Sequence, residues 1–318
     1  MNYEFLEAST QNVSQTLLIG LAGPTGSGKT ESSIRIARGI AGDNIAVIDT
    51  ENKRALNKKN RYKFRHHDLQ PPYSPENYEG AIRAAIDLGF RAIVVDSFSH
   101  EWDGEGGLSE DAMEILERMS KGDAARAEKL SALAWKKPKQ RHKKLMAFLR
   151  KCDVPIIFCL RAEPKIKFTK DKDGKTQVVD AGWLPVAEKM FGYDMLIYAL
   201  MMAENPGVPV HLKKLEPEFE PMFPIGHQLT EQSGVKLAQW AAGGTPPPKG
   251  ATSSPAPDAD QRPSPEVDMA LLIKGREWAE CGTEKYAAWW SKLTPAQRKS
   301  IGAAQHTEWK EIAAKVPA

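Results

Sequence analysis

Eight consecutive residues, Gly23-Pro24-Thr25-Gly26-Ser27-Gly28-Lys29-Thr30, carry the most specific chemistry in this sequence. They follow the apolar run 17–22 and precede a stretch of helical periodicity from Glu31. Strand, glycine-rich loop and helix, in that order, are what a phosphate-gripping loop requires. Glycines at 23, 26 and 28 let the backbone curl until successive N–H groups face an anion, and the helix N-terminus adds partial positive charge. Lys29 has the reach for the β- and γ-phosphates, and the Thr30 hydroxyl is a ligand for Mg²⁺. These residues predict binding of a nucleoside triphosphate.

Two acidic sites complete the expected chemistry. Asp96 closes the apolar run Ala92-Ile93-Val94-Val95, where its carboxylate would hold Mg²⁺ through a water while Thr30 ligates directly. Asp49-Thr50-Glu51 closes the run Ile45-Ala46-Val47-Ile48, and a carboxylate there can orient a water on the γ-phosphate. Lys29, Glu51 and Asp96 are therefore the expected catalytic set, with Glu51 as general base. The alternatives are an Asp96 that caps the next turn and a Glu51 that opens the charged loop Asn52-Lys53-Arg54. Glu101 is a competing base close behind Asp96.

Bringing these groups together needs a particular frame. Strand candidates at 17–22, 45–49, 92–96, 155–160 and 195–200 are short and continuously apolar, as suits strands buried on both faces of a parallel sheet. Helix candidates at 30–41, 75–88, 108–120 and 124–151 alternate with them, which predicts an α/β domain with right-handed crossovers. Gly23, Asp49 and Asp96 then share the carboxyl ends of the strands, where such folds bind ligands. Residues 165–179 predict a hairpin turning near Asp173-Gly174, 210–215 an antiparallel strand near the sheet edge, and 231–242 a last helix. The expected organisation is an N-terminal extension (1–16), a nucleotide-binding core (17–242), a disordered Pro/Gly/Ser linker (243–265) and a small all-α module (266–318). Thr294-Pro295 starts a helix of that module, whose tryptophans supply its small core.

Composition sets outer limits. With 318 residues, 41% hydrophobic and 27% charged, the chain has the make-up of a soluble globular protein. A net charge of +3 selects no partner. Cys152, Cys159 and Cys281 are too scattered for a metal knuckle, which predicts a reducing compartment. No signal-peptide pattern and no apolar run of membrane-spanning length occur, so a cytoplasmic protein without a membrane partner is expected. Charge is uneven, however. Lys136, Lys137, Lys139, Arg141, Lys143, Lys144, Arg150 and Lys151 have no acid among them, which suits a nucleic-acid backbone or, alternatively, a solvated helix face. Lys165, Lys167 and Lys170, with Lys172 and Lys175, form a second basic segment, in which Phe168 and Trp183 could stack on bases or pack in the core. No base-reading motif is present.

Gly23–Thr30 followed by Ile48-Asp49-Thr50-Glu51 and Val94-Val95-Asp96-Ser97 resembles the RecA-type ATPase core, which places its catalytic Glu after the second strand. Asp96–Trp102 with Gly104-Glu105-Gly106-Gly107 and Trp135-Lys136-Lys137-Pro138 is similar to phage-encoded AAA-family nucleotide-binding proteins, some of them Sak-type single-strand-annealing recombinases. The resemblance spans roughly residues 15–240. It implies a RecA-like P-loop NTPase fold, ATP and Mg²⁺ as cofactors, and DNA-stimulated hydrolysis. It also implies assembly into a ring or filament, single-stranded DNA on basic loops, and a C-terminal module that recruits a single-strand-binding protein or nuclease. Two positions bear on the pattern. Arg161 stands where the family carries Gln or Asn, and would act as γ-phosphate sensor, as arginine finger, or in an ion pair with Glu163 or another acid. Phe5-Leu6-Glu7-Ala8 matches the Phe-x-x-Ala subunit-linking motif. Outside this family, the residues also fit a P-loop kinase of a small molecule or nucleotide, or an ATP-dependent interaction switch without DNA activity.

Overall fold

A computed structural model describes residues 16–170, 176–242, 278–279, 281–301 and 303–314. The chain divides into two compact units, Met1–Ala251 and Thr252–Ala318. The first is an α/β unit with a mostly parallel mixed sheet flanked by helices. Its strands are β1 (Leu18–Gly23), β2 (Ile45–Asp49), β3 (Arg65–Asp68), β4 (Ala92–Asp96), β5 (Ile156–Lys170), β6 (Thr176–Pro185), β7 (Ile197–Met201) and β8 (Pro209–His211). They lie in the order β3-β2-β4-β5-β1-β7-β8, with β6 paired to β5. Among the described residues, only the β5/β6 and β7/β8 pairings are antiparallel.

Strand periodicity sorts side chains to the two faces. Ile19 and Leu21 of β1 join Val47, Val94 and Ile157 in one core, covered by helix α1 (Lys29–Ala41). Leu18, Ile48, Val95 and Phe158 point into the other, covered by α2 (Pro75–Asp87). The Ser74 hydroxyl caps α2 by accepting from the Asn77 N–H at 3.3 Å. Beyond β4 come α3 (His100–Asp103), α4 (Leu108–Ser120), α5 (Ala124–Ala134) and α6 (Lys136–Leu149), and α6 adds Leu145, Met146 and Leu149 to the second core. Helix α7 (Glu231–Ala241) packs on α1 with Gly234 against Gly39, a contact so close that a Cβ on either would collide with backbone of the other.

Most expected elements are present; the strand expected over 210–215 is the shorter β8, ending at His211, and three further differences stand out. The single helix expected over 124–151 is two. Pro138 lacks an N–H and its ring would clash with the carbonyl of Ala134, so α5 ends there and α6 starts after Trp135. Strand β3 has no apolar run to announce it: Arg-His-His-Asp is an edge strand with one partner, so its outer face needs no hydrophobic residue. Strand β5 runs well past its apolar segment, leaving the parallel ladder after Arg161 to form the expected hairpin with β6, with a bulge between Lys165 and Ile166. The turn at Asp173-Gly174 lies outside the described residues, as do 1–15 with Phe5-Leu6-Glu7-Ala8, and 243–277.

The second unit holds α8 (Thr283–Ser291), α9 (Pro295–Ile301) and α10 (Ala303–Ala314) around a core of Tyr286, Leu293, Ile301 and Trp309, with Trp289 and Trp290 packed against it. Thr294 caps α9, its hydroxyl accepting from the Gln297 N–H at 3.3 Å. No helix among the described residues is long and apolar enough to cross a membrane.

Candidate active site

The strand register brings the sequence-predicted groups to one level. Gly23 lies beside Arg161, and Asp49 beside Asp96, all at carboxyl ends of parallel strands. Here a cavity of about 630 Å³ opens, lined by the 23–30 loop with Glu51, Arg54, Lys58, Asp96 and Arg161. Its size is that of a small-molecule or nucleotide site.

The loop is shaped by its glycines. Gly28 has φ +85°, and a Cβ there would sit 2.7 Å from the Gly207 nitrogen, so only glycine fits both the conformation and the space. Lys29 folds back over the loop, its ammonium donating to the Gly23 and Pro24 carbonyls at 2.8 Å each. Burial pushes the Lys29 pKa down, against the pull of Asp96 and Glu51. A cation held this way gains from an anion placed on the same rim. Thr30 Oγ1 donates to Asp96 Oδ2 at 2.6 Å, and burial pushes the Asp96 carboxyl up. A hydroxyl and a carboxylate side by side are hard oxygen donors that fit Mg²⁺. Among the described residues no cluster of three or more His, Cys, Asp and Glu side chains is built to cage a metal.

Glu51 reaches the cavity because Asp49 builds the turn that carries it. Asp49 is fully buried: Oδ1 accepts from the Glu51 N–H at 2.7 Å, and Oδ2 from the Ala55 N–H at 2.9 Å with His66 Nε2 at 3.1 Å. Thr50 ties this turn to the end of β4, its hydroxyl accepting from the Ser97 N–H at 2.9 Å and lying 2.7 Å from His100 Nδ1. The Glu51 carboxylate receives Arg161 Nε at 3.2 Å and an Arg54 guanidinium nitrogen at 3.3 Å. Of the roles open to Arg161, the ion pair with an acid is the one present, and that acid is Glu51; Glu163 is taken by Lys165 at 2.9 Å.

Glu101 does not line the cavity. It is buried 2.9 Å from His142 Nδ1, joining α3 to α6. Burial alone would push the His142 imidazole down, but the hydrogen bond and charge of Glu101 carry it above its ordinary value. A raised folded-state pKa contributes stability that is complete below the unfolded value of 6.5 and is lost as pH rises through the folded one. Melting temperature is therefore expected to carry a component that declines as pH rises above about 6.5. Thermal melts of His142→Gln should lack it; the same decline in that variant would place its origin elsewhere.

The basic segment is less free than its composition suggests. Arg141 is held by Asp111 at 2.5 Å and Glu76 at 2.6 Å, so it joins α6 with α2 and α4 and is not a free cation. Arg150 pairs with Asp194 at 2.9 Å. Lys136, Lys137, Lys139, Lys143 and Lys144 are exposed and have no ion pair among the described residues. Trp135, just ahead of them, stacks on Trp102 of α3 at 5.1 Å. Lys165 is exposed on β5, where the backbones of Lys167 and Lys170 also run. Trp183 packs, partly buried, against the second core, one of the two placements open to it from the sequence.

No protein-family model matches the chain, and no curated protein matches it.

Arg54 and Lys58, which share the cavity wall, are not legible as site residues from the local sequence. The available signal is the density of cations from Lys53 to Arg65: Lys53, Arg54, Lys58, Lys59, Arg61, Lys63 and Arg65, with no acid between them.

Proposed function

We propose that this chain is a Mg²⁺-dependent ATPase with a RecA-like P-loop core that acts on single-stranded DNA in recombination or annealing. The observation that carries the reading is the convergence of Lys29, Thr30, Glu51 and Asp96 on one cavity at the strand ends. The backbone N–H groups of the 23–30 loop bind the phosphates, and Lys29 swings from its carbonyls to the β- and γ-phosphates. Thr30 and Asp96 would hold Mg²⁺, and the ion would supply charge neutralisation on the phosphates. Glu51 takes the proton of the attacking water as that oxygen bonds to the γ-phosphorus and the bond to the bridging oxygen of ADP breaks. Arg161 stands close enough to Glu51 to act on the γ-phosphate once released from it.

The exposed lysines of α6, with Lys165 on β5, supply surface for a phosphate backbone. Assembly into a ring or filament, a cytoplasmic setting, and recruitment of a single-strand-binding protein or nuclease by the C-terminal unit complete the proposal. Helix α6 is linked to the segment after Asp96 through Glu101–His142 and Trp102–Trp135, so DNA on α6 can act on the ATP site. The test is ATP hydrolysis with and without single-stranded DNA at two salt concentrations. Turnover that needs Mg²⁺ and rises with DNA at low salt supports the proposal. Turnover indifferent to DNA overturns the DNA role, and turnover only with a small acceptor identifies a kinase.

A further inference from the structure

The cationic run Lys53–Arg65 has no part in the proposed mechanism, although Arg54 and Lys58 line the cavity. From residue 61 to 68 exposure alternates strictly: Arg61, Lys63, Arg65 and His67 face out, while Tyr62, Phe64, His66 and Asp68 are half-buried. Tyr62 and Phe64 pack on the core under α1, which fixes the register and leaves the cations no choice of face. Alternate side chains on an extended chain stand about 6.6 Å apart, close to the pitch of successive phosphates on an extended nucleic-acid strand. The segment ends in β3, the edge strand of the sheet. Arg61 is held by Glu31 at 2.8 Å, but Lys63 is 85% exposed with Asp43 no nearer than 4.0 Å. Lys59 and Arg65 are exposed with no ion pair among the described residues.

We propose that Lys63 and Arg65 on the alternating segment, with Lys59 in the turn before it, form a second track for the phosphate backbone of single-stranded nucleic acid along the β3 edge of the sheet. This inference rests on the DNA-binding reading above and adds a surface to it. With its aromatic residues turned inward, the track reads charge and spacing and no bases. Both ends of the segment are tied to the same carboxylate, since Asp49 accepts from Ala55 N–H and meets His66, and Asp49 also holds the Glu51 N–H. Arg54 adds a direct contact to Glu51 at 3.3 Å. A strand laid along this edge therefore pulls on the turn that positions the general base.

The test uses the full-length chain, a labelled oligothymidylate and a matched duplex, over a series of salt concentrations. In Lys59→Ala/Lys63→Ala/Arg65→Ala, affinity for the single strand is expected to fall about tenfold, and the slope of log affinity against log salt to shrink by about 2. ATP affinity and DNA-free hydrolysis should be unchanged, since none of the three lines the cavity. The charge-keeping variant Lys59→Arg/Lys63→Arg/Arg65→Lys should bind as the parent does, which separates lost charge from lost folding. Wild-type and triple-variant curves that coincide overturn this track alone. A wild-type protein that binds no single strand at low salt overturns both it and the DNA-binding reading. Equal losses on duplex and single strand overturn the single-strand assignment, and a charge-keeping variant as weak as the alanine one overturns the role of charge.

Discussion

Glu51→Gln is expected to lower ATP turnover by about 10²–10⁴-fold while leaving ATP affinity within a factor of a few. Glutamine keeps the volume and still offers an oxygen to Arg161 or Arg54, but it cannot take a proton from water at neutral pH. The turn itself should survive, because it is built by Asp49 through backbone N–H groups and not by the Glu51 side chain. Single-turnover hydrolysis and equilibrium ATP binding, measured on the same preparation, separate the two effects. Glu101→Gln is the control. Glu101 is buried against His142 away from the cavity, so its loss should lower melting temperature and spare the chemical step. If Glu101→Gln abolishes hydrolysis and Glu51→Gln does not, the base is Glu101.

Lys29→Ala is expected to weaken ATP binding by about 10²-fold or more, with hydrolysis lost in proportion. The ammonium sits in a partly desolvated rim, where its charge is costly and a triphosphate is its natural counter-ion. Truncation removes that contact and leaves phosphate charge facing the Gly23 and Pro24 carbonyls. Unlike the Glu51 change, this one should act on binding first, and titration calorimetry with a non-hydrolysable analogue reads it directly. Undiminished affinity in Lys29→Ala would rule out the 23–30 loop as the phosphate site.

The parallel frame was legible because strands buried on both faces must be continuously apolar, and five such runs stand out between amphipathic stretches. The edge strand β3 was hidden for the opposite reason: one solvated face permits Arg-His-His-Asp, which reads as loop. The split at Trp135 was readable in principle from Pro138, since the cost of proline falls on the residue four positions earlier. It was masked by the long run of good helix formers around it. Arg141 shows what a charge run conceals. Nothing nearby in sequence indicates Glu76 and Asp111, yet those two acids commit it to the packing of three helices.

Local sequence determined the 23–30 loop, because its glycines, lysine and threonine act within a few bonds of one another and need only a strand before and a helix after. It also determined that Asp49 and Asp96 close buried strands, since apolar periodicity and a terminal acid are local properties. Only the tertiary structure shows that Glu51 lines the cavity and Glu101 does not, because strand register, not sequence distance, sets which carboxylate faces it. It alone paired Arg161 with Glu51, made Asp49 the support of the turn, and turned the cations at 61, 63 and 65 outward. Each of these depends on residues far apart in the chain meeting across a sheet, and such meetings leave no trace in composition or spacing.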